Sequence, residues 1–195
     1  MQVTIWGSCH CQKIRYKALA LSEAVRICHC TDCQKLSGSA FRVNLPVLQS
    51  DFRLLQGILK TYIKTTDKGK RRAQCFCENC GTQIYATDAD SMVIEHTNAE
   101  ITTLHYASNA EKESVQPSTD ILVYYNIRVG TVDKVVSDNR VRSDNTVGSD
   151  NTVGSDNMVE SAISLTPAYQ QWCQSARQWV TMLDDIPCFA QNKLT

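Results

Sequence analysis

No secretory leader is expected here: Met1-Gln2-Val3-Thr4-Ile5-Trp6-Gly7-Ser8 carries neither a basic n-region nor an apolar h-region. No apolar run approaches the ~20 residues that a membrane-spanning helix needs. Net charge is missing too, since 20 Lys and Arg balance 20 Asp and Glu. There is no extended basic tail and no recognised nucleic-acid-binding motif, which argues against nucleic acid as a partner. Together these absences argue against the secreted and membrane classes and lead to the expectation of a reducing, cytoplasmic compartment. At 195 residues the chain is long enough for a real core and reads as one domain, 1–195, with added loops.

What the chain does have is sulfur. Seven of its ten cysteines fall in three clusters: Cys9-His10-Cys11, Cys28-His29-Cys30-Thr31-Asp32-Cys33 and Cys77-Glu78-Asn79-Cys80-Gly81. Cysteines two residues apart serve poorly for closing long disulfide loops, so a disulfide framework is the weaker reading. C-x-C and C-x-x-C spacings instead aim two sulfurs at one point, which suits a tetrahedral soft-ligand ion, usually zinc. Seven thiolates cannot make two closed four-thiolate sites. They make one closed site and one with three protein ligands, and a three-ligand zinc site with an open position is the arrangement that does chemistry.

The zero net charge hides an asymmetry. Residues 1–80 hold thirteen Lys and Arg against five Asp and Glu, and residues 81–195 hold seven against fifteen. All seven clustered thiols lie in the basic part, which would attract an anionic substrate. The run Lys68-Gly69-Lys70-Arg71-Arg72 reads as a solvated face.

The first ninety residues read as short strands between turns. Lys13 to Lys17 and Ala24 to Ile27 alternate at period two. Gly57 to Lys64 reads as a strand, Asp67 to Lys70 as a hairpin turn, and Arg72 to Phe76 as the returning strand that delivers Cys77. Thr31 to Leu36 forms a short helical turn with Thr31 or Asp32 as its cap. The fold class is therefore mainly β.

Two segments look like loop insertions, at about 91–120 and 137–157. In the second, Ser-Asp-Asn recurs at 137–139, 143–145, 149–151 and 155–157, a low-complexity unit with too little apolar surface to pack. Structure is expected to resume near Ser164 and to run through Trp172, Trp179 and Ile186-Pro187.

The cysteine pattern with its neighbours resembles the glutathione-dependent formaldehyde-activating enzyme family, whose domain is shared with centromere protein V. The matching stretches are Gly7 to Cys11, Cys28 to Phe41, Phe52 to Gly57, Gly69-Lys70, Phe76 to Tyr85 and Tyr125 to Thr131. The match ends with Leu165-Thr166-Pro167, Gln171-Trp172-Cys173 and Trp179 through Pro187. The resemblance implies a β-tent of small antiparallel sheets and two zinc ions. Carried over by position, Cys9, Cys11, Cys77 and Cys80 become the structural zinc ligands, and Cys28, Cys30 and Cys33 those of the catalytic zinc. The closed set agrees with the residues themselves: Gly81 permits a turn at positive φ, and Cys9 and Cys11 would face one way on a strand.

The implied activity is that of a carbon–sulfur lyase joining glutathione, or a related thiol, and formaldehyde as S-hydroxymethylglutathione. A non-catalytic zinc-binding interaction module is the alternative. Gln12 stands where the family often has Gly, on what reads as a strand edge. Cys75 reads as a packed thiol, Cys173 and Cys188 as buried apolar thiols, and His10 and His29 as non-ligands turned away from their neighbours.

Overall fold

The computed structural model describes residues 1–91, 122–137, 164–180 and 185–193. Both expected insertions, apart from Ser91 and Ser137, lie outside the described residues, as does the rest of the Ser-Asp-Asn repeat. The mainly β expectation holds. In chain order the elements are β1 (Gln2–Ser8), β2 (Arg15–Leu21), β3 (Arg26–Cys28), α1 (Thr31–Ser37), β4 (Arg42–Leu48), β5 (Phe52–Gln56), β6 (Leu59–Thr65) and β7 (Arg71–Cys77). They continue with β8 (Gln83–Asp88), β9 (Tyr124–Arg128), β10 (Val132–Ser137), β11 (Tyr169–Gln171) and β12 (Cys188–Phe189).

Two sheets result, in the orders β10-β1-β2-β5 and β12-β11-β3-β4-β9-β8-β7-β6. Period-two alternation decides which side of each strand meets the core. In the smaller sheet Val3, Ile5, Tyr16, Ala18, Ala20, Phe52, Leu54 and Val136 point inward; in the larger, Leu45, Val47, Ala73, Cys75, Ile84, Tyr85, Tyr125 and Ile127 do. An aromatic group seals the junction. Phe52 meets Tyr16, Tyr85 and Tyr125 at centroid distances of 5.5, 5.2 and 5.3 Å, and Tyr85 stacks on Tyr125 at 4.1 Å. The Tyr16 hydroxyl, buried with them, pairs with Thr131 Oγ1 at 2.8 Å.

The β6–β7 hairpin forms as expected, with Thr65 opposite Arg71 and Gly69 at φ +78° in the turn. The basic run over residues 68–72 divides there: Lys68 and Lys70 are exposed at the tip, whereas Arg71 and Arg72 enter the strand half-buried.

Three local expectations are corrected. The α1 cap is neither Thr31 nor Asp32 but Cys30, whose Sγ accepts the Cys33 N–H at 3.4 Å. A sulfur at this position takes the part that a short oxygen-bearing side chain usually plays. Cys9 and Cys11 stand not on a strand but in the turn after β1, where Cys9 N–H bonds Ile14 O at 3.1 Å and Gln12 N–H bonds Cys9 O at 2.9 Å. Gln12 has φ +61°, so the place where glycine was expected is a left-handed turn and not a strand edge. Finally, Cys173 and Cys188 are not buried thiols. Cys188 on β12 stands opposite Gln170 of β11, and the chain turns just beyond β11 at Trp172 (φ +62°), so that the Cα atoms of Cys173 and Cys188 lie 6.2 Å apart and the two form a disulfide.

Candidate metal centres

The turn after β1 and the turn between β7 and β8 bring four sulfurs together. Those of Cys9, Cys11, Cys77 and Cys80 all lie within 4.8 Å of one another. Cys9 and Cys11 are 3.5 Å apart, and Cys11 and Cys77 3.7 Å. The edge of a tetrahedron with bonds of about 2.3 Å is about 3.8 Å, so this donor set fits a zinc-sized ion. Gly81, at φ +73°, turns the chain so that its N–H reaches Cys77 O at 2.8 Å. Second-layer contacts then fix the sulfurs. Ile14 N–H donates to Cys9 Sγ at 3.3 Å, and Thr82 Oγ1 lies 3.2 Å from Cys80 Sγ. Contacts with Thr82 hold the Cys80 thiol down, to about 5.

The second cluster is compact in sequence. Cys28 ends β3, Cys30 caps α1 and Cys33 lies in its first turn; their sulfurs also lie within 4.8 Å of one another. Hydrogen bonds from the Cys28 and Cys33 thiols hold Cys30 far below the usual thiol range, and contacts with Cys28 and then Cys30 push Cys33 up. Three thiolates so close repel one another, so only a cation lets all three ionise together. With three sulfurs in place of four, the donor set leaves a tetrahedral ion one position for an outside ligand.

Glutamine side chains hold this cluster in place. Gln34 Nε2 donates to His29 O at 2.6 Å and Ser175 O at 2.8 Å, which ties α1 to the C-terminal segment. Gln83 Nε2 donates to Leu36 O at 2.8 Å, while its Oε1 accepts from Arg42 Nη2 at 2.7 Å. Arg42 stands opposite Cys28 across the β3–β4 ladder. Arg42 and Arg128 are only 6% and 7% exposed; burial works against their charge, and the cluster's sulfurs are near enough to offset part of that. Lys64 pairs with Asp32 on α1 and adds another cation beside Cys30.

Every cysteine expected as a ligand thus falls in one of the two clusters, divided four and three. Cys75 stays outside them, 1% exposed, with its thiol 3.7 Å from Thr61 Oγ1 and pushed up by burial. Neither histidine joins a cluster: His10 is exposed, and buried His29 has Nε2 3.2 Å from Gln170 Oε1. Sequence reasoning missed Gln34, Gln83, Arg42 and Arg128. The available signal was a row of polar residues alternating with apolar ones along β4 and β9. Trp179, 77% exposed, lines a groove of about 540 Å³ with Arg177, Lys35 and Phe41 that runs along α1 and touches none of the clustered cysteines.

A family model described as glutathione-dependent formaldehyde-activating enzyme matches residues 4–126, a span that holds all seven clustered cysteines. Among solved structures, a crystal structure of a Rhodobacter sphaeroides protein, a structural-genomics target, is 18% identical over 68% of this chain and 88% of that chain, with a TM-score of 0.39. No curated protein matches the chain significantly.

Proposed function

The chain belongs to the glutathione-dependent formaldehyde-activating enzyme family, and from that premise we propose that it is a cytoplasmic, zinc-dependent carbon–sulfur lyase. Its substrates in this reading are glutathione or a related thiol and a small aldehyde such as formaldehyde. The reaction adds the thiol across the carbonyl: a C–S bond forms, the C=O π bond breaks, and the thiol proton ends on the new hydroxyl. The lyase direction reverses each change.

The observation that carries the reading is the set Cys28, Cys30 and Cys33, three sulfurs that leave one position to an outside ligand, with basic side chains alongside. Zinc held there would supply Lewis acidity to a thiol or carbonyl at that position. The chain's own groups prepare the site. Arg42, Arg128 and Lys64 favour ionised sulfur by lying beside the cluster, and Gln34 fixes the α1 backbone that carries Cys30 and Cys33.

Cys9, Cys11, Cys77 and Cys80 take the structural role. They join the β1–β2 turn of one sheet to the β7–β8 turn of the other. The chain acts as one domain, and its partners are small molecules rather than nucleic acid. Among the described residues no helix is long and apolar enough to cross a membrane.

Two measurements test this. Elemental analysis after purification without chelator should give about two zinc ions per chain. Nuclear magnetic resonance with ¹³C-formaldehyde should show faster formation of S-hydroxymethylglutathione with the zinc-loaded protein, and chelation should abolish the gain. Two zinc ions with no rate gain and no thiol binding would leave a metal-stabilised interaction module.

A further inference from the structure

Four arginines share the face of the larger sheet that points away from the core. Arg26 stands on β3, Arg42 on β4, Arg72 on β7 and Arg128 on β9. In a flat sheet β4 and β7, with β9 and β8 between them, would be about 14 Å apart. Here Arg42 Nη1 lies 3.4 Å from Gln74 Oε1 on β7. Arg128 Nη2 reaches the same Gln74 oxygen at 2.9 Å, and Arg72 is close enough to Arg26 to be repelled by it. Long side chains thus bridge the strands across this polar face, which also carries Cys28 of the three-cysteine cluster.

A buried cation requires a counter-charge. The ion pairs among the described residues join Met1 to Glu23, Lys64 to Asp32 and Arg71 to Asp90, and none includes these four arginines. Neutral groups hold them instead. Arg128 donates to Asn44, Arg26 donates to Asn126 and to Tyr169 Oη, and Arg42 donates to Gln83. The Nε atoms of Arg26 and Arg128 are buried without a hydrogen-bond partner. Asp88 supplies one attraction, to Arg72. A dication on three thiolates would carry one net negative charge, which one guanidinium offsets. Two of the four arginines then remain without a counter-charge among the described residues. Amide oxygens orient a guanidinium without neutralising it, which leaves its charge for an incoming anion.

We propose that this arginine-lined face is the carboxylate receptor of the site and takes a small thiol bearing two carboxylates. Half-buried Arg26 and Arg72 contact the carboxylates, and Arg42 and Arg128 reinforce them from beneath, so that the thiol is delivered to Cys28, Cys30 and Cys33. The identity of the thiol rests on the lyase reading; the anion recognition stands on the arginines alone.

The test is calorimetric titration of the zinc-loaded full chain with glutathione and with glutathione dimethyl ester, which keeps the thiol and caps both carboxylates. The ester should bind about tenfold more weakly or worse. That gap should shrink in Arg72→Gln or Arg26→Gln and persist in Lys68→Gln, which removes the same charge at the exposed hairpin tip. Zinc content and melting temperature select variants that remain folded. Equal binding of the two thiols overturns the receptor while leaving the lyase reading intact, and a gap undiminished in both arginine variants overturns the assignment to this face. If neither thiol binds, the lyase reading falls and succinate decides: saturable binding lost in Arg72→Gln upholds the anion receptor, and no binding overturns it.

Discussion

Cys80→Ser should unfold the protein, whereas Cys30→Ser should leave it folded. The difference follows from what each cluster joins. Cys9 and Cys11 lie at one end of the smaller sheet, and Cys77 and Cys80 at the end of the β7–β8 pair of the larger. A metal bound to all four therefore closes a long loop between sheets; Cys28, Cys30 and Cys33 close only one short segment. Structural zinc sites bind with apparent free energies of about 10–16 kcal/mol, comparable to or larger than the ~5–15 kcal/mol that separates most folded domains from their unfolded chains. Serine offers a poor zinc ligand, and losing half or more of that binding energy, about 5–8 kcal/mol, cancels the margin of a domain in the lower part of that range. At the other cluster the local fold has independent support, from the Gln34 bonds to His29 O and Ser175 O and from Gln83 to Leu36 O. The assay pairs far-ultraviolet circular dichroism melts with zinc per chain. Cys80→Ser should show no cooperative transition, and Cys30→Ser a clear one with about one zinc fewer. A folded Cys80→Ser with near-native melting, beside a Cys30→Ser that does not fold, would refute the assignment of roles.

Gln12→Gly should raise stability by about 0.5–1 kcal/mol, read from urea midpoints, because Gln12 sits at φ +61° where a side chain is strained. Gly7→Ala should destabilise by about 1–3 kcal/mol, since its Cβ would lie 2.2 Å from Tyr16 Oη and 2.3 Å from Thr131 O. A neutral result there would mean that the Tyr16–Thr131 pair moves aside freely. Thiol titration of the chelated, denatured, unreduced chain should count the eight free cysteines. Cys188→Ser should cost about 3 kcal/mol, the loop-closure value for its sequence separation of 15.

How far the sequence could be read depended on how far apart the cooperating residues stand. Cys28, Cys30 and Cys33 declare themselves because their spacing alone converges three sulfurs. Cys9 and Cys11 do come together with Cys77 and Cys80, but a turn, not the expected strand, presents them, and Gln12 at positive φ is its mark. Arg26, Arg42, Arg72 and Arg128 come from four strands, and only the pairing of those strands in one sheet brings them onto a common face. Nothing in any one segment announces that. Cys173 and Cys188 were misread for a similar reason, since parallel pairing of two very short strands leaves hardly any periodic pattern.

On β3, β4, β7 and β9 the two faces of the larger sheet follow a simple numerical rule. Odd positions such as Ile27, Leu45, Ala73 and Ile127 are buried apolar residues, and even ones such as Arg26, Asn44, Gln74 and Arg128 belong to the arginine face. Two nearly independent texts are thus interleaved in one stretch of chain. Drift at even positions can retune which anion is held while the odd positions keep the sheet packed, so relatives of this protein could diverge in substrate without diverging in architecture. The same interleaving makes a one-residue deletion in any of these strands unusually severe, because it would exchange the texts and place guanidiniums in the core.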